Sequence, residues 1–130
     1  LDVTTKDKTF LMIAAVSLML AGILSAYGFH GLADTLTDAD RLSWRWAVQI
    51  QVYNALGLFL VTLLTLHIGT GKLLDIARGL FVFSTLIFSF TVYLEKLGII
   101  PVAAGDIAPI GGSSFMLGWA LVALAVILKK

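Results

Sequence analysis

Hydrogen-bonding side chains gather in four short runs of an otherwise apolar chain: Tyr27 and His30; Gln49, Gln51, Tyr53 and Asn54; Ser89 and Tyr93; and Ser113, Ser114 and Trp119. Amides, phenols and hydroxyls of this kind can hold a lipid headgroup, a quinone-like ring or a small solute. They can equally bond to one another between helices, where an unpaired amide in hydrocarbon is expensive. Catalysis has less to work with. Ser113 and Ser114 have no base beside them in the sequence, which weakens a nucleophilic role. His30 is the only histidine near the set, and a metal site needs several converging ligands, so it reads as a capping or interfacial residue. His67 falls at the opposite end of its helix. The chain has no cysteine, which removes disulfides, thiol nucleophiles and thiolate metal sites together. Gly111 and Gly112 are not followed by the lysine of a phosphate loop. Asp34, Asp38, Asp40, Glu95 and Asp106 read as a solvated acidic rim. No metal and no cofactor is implied.

The elements that must position these residues are set by composition. With 130 residues, 59% hydrophobic and 13% charged, and a mean hydropathy of +0.99, the chain is one domain whose apolar surface needs lipid as its solvent. A net charge of +1 and the lack of a basic stripe argue against nucleic acid as a partner.

Phe10 to Phe29 carries no charged side chain, enough at 1.5 Å per residue to cross the hydrocarbon layer. The run is longer than a signal peptide's apolar core and lacks an A-x-A cleavage site, so a retained helix is expected. Leu1 to Lys8 reads as a mobile approach segment, and since Leu1 is not methionine, residues can precede it. Ser17, Ala21 and Ser25, with Gly22 and Ala26 alongside, predict a small-residue groove for close packing. Thr37 and Asp40 resemble a capping box that starts a second helix near Asp38. That helix enters the membrane near Trp44 or Trp46, with Arg41 and Arg45 reaching back to headgroups. The third helix carries a short uncharged stretch, Gly79 to Leu94, so Arg78 is expected to snorkel from its end. Ile99 to Ile107 reads as a loop.

Pro109 and the Gly111-Gly112 pair predict a rigid turn, with Pro109 biasing Ala108 away from helical geometry. Behind the turn, Ser113, Ser114 and Gly118 would give the last helix a narrow shoulder for a neighbour. The transmembrane helices are therefore placed at about 10–29, 46–67, 76–95 and 112–128. The fold is all-α, an integral membrane four-helix bundle with both termini on the same side. Six Lys and Arg flank the membrane on that side (Lys6, Lys8, Lys72, Arg78, Lys129, Lys130), against Arg41, Arg45 and Lys96 on the other. That asymmetry assigns the termini to the cytoplasm, or to the matrix in an organelle. The four polar runs then fall in the half of the membrane opposite the termini. With no charge expected inside a span, an ion or proton pump is disfavoured.

Four blocks carry a family resemblance: Ser25-Ala26-Tyr27-Gly28-Phe29-His30; Gln51-Val52-Tyr53-Asn54-Ala55-Leu56; Phe88-Ser89-Phe90-Thr91-Val92-Tyr93; and Pro109-Ile110-Gly111-Gly112 with Gly118-Trp119. In this order they resemble the small four-helix membrane proteins grouped with transmembrane protein 256, a domain of unknown function. The last block is the most specific. The family's first block usually reads Gly-Ala-Phe-Gly-Ala-His, where this chain has Ser25, Tyr27 and Phe29, and histidine often stands where this chain has Asn54. The resemblance implies an integral protein of bacterial inner or mitochondrial inner membranes and brings no activity with it. Size and small-residue helix faces suit an accessory or structural subunit packed against a larger membrane complex, with membrane lipid as its other partner. The alternative is a carrier for a lipid, a quinone or a small solute that uses the outer polar cluster.

Overall fold

The computed structural model describes residues 2–130. Among these residues, four helices are long and apolar enough to cross a membrane: Thr5–Gly31, Asp38–Ile68, Lys72–Lys96 and Gly105–Leu128. The first helix starts earlier than expected. Thr4 caps it, its hydroxyl accepting from the Asp7 amide at 3.1 Å, so the stretch from Thr5 to Lys8 is helix and not a mobile approach. Leu1, which that expectation also covered, lies outside the described residues. Thr37 caps the second helix through the Asp40 amide, also at 3.1 Å. Each cap satisfies a donor that the first turn leaves open.

Two of the four crossings contain a wide π turn. The first helix is α-helical over Thr5–Ala26 and widens at Tyr27–Gly31. The third runs α-helical over Lys72–Ser84, widens at Thr85–Ser89, and returns to α-helix over Phe90–Lys96. Both wide turns sit where a polar side chain crosses between helices: Trp44 Nε1 donates to the Leu24 carbonyl at 2.9 Å, and Ser89 Oγ to the Ala47 carbonyl at 2.6 Å.

The first helix buries Asp7, Ala14, Ala21 and Gly28, one residue in every seven. That period keeps one narrow seam against the rest of the bundle with little drift, whereas steps of four wander around the helix. The expected groove is corrected accordingly. Ala21 belongs to it and Ser17 is half-buried, but Gly22, Ser25 and Ala26 face outward. Gly28 closes the seam, because a Cβ there would lie 2.3 Å from the Trp44 indole nitrogen.

The turn expected around Pro109 is also corrected. A 3-10 segment, Val102–Ile107, leads directly into a helix spanning Ala108–Leu128. Ala108 is itself helical (φ −54°, ψ −40°). Proline fits a helix's first turn, where its missing N–H has no partner to lose. Gly111 serves proximity, since a Cβ there would come within 2.6 Å of the Phe88 backbone nitrogen. Gly111, Ser114, Gly118 and Val122 form the buried stripe of this helix, while Ser113 is exposed.

The second helix is central, packing on both the first and the third, and the fourth packs chiefly on the third. Two apolar clusters result. One gathers Leu32, Leu36, Trp44, Ala47, Val92 and Tyr93; the other gathers Val61, Leu74, Ala77, Phe81 and Val122. Outward faces are large and apolar, with Phe29 and Ile127 each 76% exposed, as a lipid-facing surface requires.

Candidate functional site

Three neutral side chains on the central helix do most of the joining. Gln51 is fully buried, gives its amide to the Ser17 carbonyl at 2.9 Å and takes the Tyr93 hydroxyl at 2.7 Å, linking the first, second and third helices. One turn on, Asn54 donates to Ser84 Oγ at 3.0 Å, while its Oδ1 is buried without a partner among the described residues. Trp44, expected at the membrane surface, is instead buried against Tyr93, with ring centroids 4.8 Å apart. Trp46 is the half-exposed one of the pair.

The remaining polar residues point elsewhere. Gln49 bonds along its own helix to the exposed Tyr53, whose ring stacks on Phe115 at 6.3 Å. Tyr27 and His30 are exposed, and His30 sits edge-on to Phe29. Ser113 and Ser114 bond back to the carbonyls of Pro109 and Ile110, one turn earlier in their own helix. Trp119 is partly exposed and leans on Phe81, with centroids 5.0 Å apart. The structure thus brings Gln51, Tyr93, Asn54 and Ser89 together between helices. It leaves Tyr27, His30, Tyr53 and Ser113 on outward surfaces, with Gln49 half-buried beside Tyr53. Among the described residues, no group of three or more His, Asp or Glu side chains is arranged to hold a metal ion.

A second polar centre lies at the other end of the bundle. Arg78 is wholly buried and does not snorkel. Its Nη1 pairs with Asp7 at 2.9 Å, its Nη2 bonds Asp75, and Thr62 Oγ1 lies at 3.5 Å. Its guanidinium carbon lies 4.6 Å from the Phe10 ring centroid, a cation–π contact. Lys6 reaches Asp75 at 2.8 Å on the exposed side. The expectation that no span carries a buried charge is therefore overturned. The reason is energetic: a guanidinium with a carboxylate close by, one turn inside the helix, is better satisfied by that partner than by stretching to water. One clue was in the sequence, since the uncharged stretch after Arg78 is short for a span. The acidic rim is likewise only partly free, because Lys96 pairs with Asp40 at 3.0 Å and Glu95 at 3.2 Å.

Between the two polar centres a slot of about 250 Å³ opens sideways between the first and third helices, with Asn54, Ala55 and Leu58 of the second helix as its floor.

Four long apolar helices joined by buried polar bridges define a small integral membrane protein. Residues 24–112 match the family described as "Protein of unknown function (DUF423)". The chain belongs to this family, which corresponds to the transmembrane protein 256 group that its four sequence blocks resemble. It is 31% identical over 120 residues to the UPF0382 membrane protein YwdK of Bacillus subtilis, covering 92% of this chain and 97% of the relative. It is 33% identical over 121 residues to a UPF0382 membrane protein of Staphylococcus epidermidis, covering 92% and 96%. No solved structure matches the chain.

Proposed function

We propose that this protein is a non-catalytic accessory subunit, docked against a transmembrane helix of a larger membrane protein. The observation that carries this reading is the exposed placement of Tyr53 with the half-buried Gln49 bonded to it. A hydrogen-bonded amide and phenol lie well inside a helix that crosses the membrane, at the edge of the bundle beside Phe115 of the fourth helix, with Tyr53 exposed and Gln49 half-buried. Facing acyl chains, their remaining hydrogen-bonding capacity is wasted; facing a partner helix, it is used. The neighbouring Phe115 and Trp119 supply aromatic contact area on the same side.

We further propose that both chain ends face the cytoplasm. The Lys and Arg distribution supports this even with Arg78 set aside as paired: five cations, Lys6, Lys8, Lys72, Lys129 and Lys130, oppose Arg41, Arg45 and Lys96. Relatives in Bacillus and Staphylococcus support a bacterial cell membrane, in preference to the mitochondrial inner membrane.

Purification from native membranes in mild detergent tests the subunit reading. The expected result is a stoichiometric larger partner, lost when Gln49→Leu and Tyr53→Phe are combined. A protein that purifies alone would end it. A second reading, a carrier for an apolar molecule with a polar head, draws support from the slot at Asn54. It gains less from the outer polar cluster, where Gln51 and Tyr93 already bond each other and Ser89 bonds the Ala47 carbonyl.

A further inference from the structure

We infer that the slot between the first and third helices is a binding site for a single-chain apolar molecule ending in a hydroxyl, with Asn54 as the residue that receives the head. The inference deepens the carrier reading and is independent of the subunit one. The walls are aliphatic and aromatic: Met12 and Val16 on one side, Val82 and Leu86 on the other. Met12, Val16 and Leu86 are exposed at the mouth, so entry is lateral, from the acyl-chain layer.

Two features make the slot more than a packing defect. The bundle is closed above and below it. At one end Arg78 holds Asp7; at the other Gln51 holds the Ser17 carbonyl within the lining, and Trp44 holds the Leu24 carbonyl just beyond it. The first helix is thus tied at both ends of the opening and left apart from the third in between. Second, the floor carries an unsatisfied polar group. Asn54 is 1% exposed, and its Oδ1 has no hydrogen-bond partner among the described residues. A buried amide oxygen left unpaired is costly in an environment without water. A ligand that donates one hydrogen bond removes that cost.

The head group follows from the amide. With Nδ2 on Ser84 Oγ, the free atom is an acceptor and calls for a donor. With the amide turned over, Ser84 donates to Oδ1, and the free atom is a donor that calls for an acceptor. A hydroxyl serves either arrangement, whereas a carbonyl serves only the second and a hydrocarbon end serves neither. The wide turn at Thr85–Ser89 forms part of the slot wall, and π turns inserted in α-helices occur frequently at functional sites.

The test uses the full chain in detergent micelles and a long-chain primary alcohol carrying a mid-chain diazirine. Photolabelling should map to Met12, Val16 and Leu86. Unlabelled 1-dodecanol should compete about tenfold better than dodecane, the ratio expected for one hydrogen bond of about 1.4 kcal/mol. Asn54→Leu should erase that preference while the variant still folds. Should it not fold, Val16→Phe at the exposed mouth should reduce labelling at Leu86. Labelling that alcohol competes away but that maps elsewhere on the protein would keep a carrier and remove this site. Labelling scattered over outward faces, with alcohol and alkane competing equally, would remove both.

Discussion

At the Arg78 end, the first and third helices meet through opposite full charges, Arg78 and Asp7, 2.9 Å apart and almost wholly buried. At the Trp44 end, the same two helices are joined through neutral Gln51, which takes the Tyr93 hydroxyl and gives its amide to the Ser17 carbonyl. Both links are buried, and both involve the central helix, through Thr62 in one case and Gln51 in the other. They differ in how they fail. Removing one half of a buried ion pair leaves an uncompensated charge, so the loss is steep. Removing one neutral partner leaves an unsatisfied dipole, and in membranes such bonds are individually modest.

This difference can be measured. The largest effect is expected for Arg78→Leu, which strands Asp7 between helices. Thermal unfolding in detergent should show a loss of about 3–5 kcal/mol, partly recovered when Asp7→Leu is added. A loss no larger than that of a neutral-network variant would erase the distinction between the two ends. Gln51→Leu should cost about 1–2 kcal/mol by the same assay, two bonds at ~0.6 kcal/mol each plus the stranded Tyr93 hydroxyl. Ser113→Ala, on an exposed face and bonded only within its own helix, should stay within ~0.5 kcal/mol.

The neutral end was largely legible from residue types. An amide or phenol in an apolar run has few places to go, so the mere presence of Gln51, Asn54 and Tyr93 announces cross-helix bonds. Sequence could not say that Gln49, two positions from Gln51, would stay half-buried and bond the exposed Tyr53, because the facing of a residue depends on which neighbour covers the helix. The charged end was hidden for another reason. Asp7 and Arg78 are 71 residues apart, and each stands near the end of an apolar run, where reaching to water is the ordinary outcome.

Pro109-Ile110-Gly111-Gly112 misled in the opposite direction. Its residue types are those of a turn, but proline is also at home in a first helical turn, and glycine also permits contact with a neighbouring backbone. In the first helix, steps of four were apparent in the sequence and a step of seven decided the packing. The four crossings were legible in the sequence because they rest on length and apolarity alone.

The wide turn at Thr85–Ser89 has a bearing on which changes this chain can absorb. Ser84 and Ser89, five positions apart, both bond to the central helix, one through Asn54 and the other through the Ala47 carbonyl. In an unbroken α-helix, five positions would point them roughly 140° apart. Deleting one residue here would leave a segment just as greasy and still long enough to cross. It would also swing the half bearing Tyr93 by roughly 100° relative to the half bearing Arg78. Residue count in this segment therefore matters in its own right, and a frame-preserving loss of one codon should harm the protein more than most replacements of its side chains.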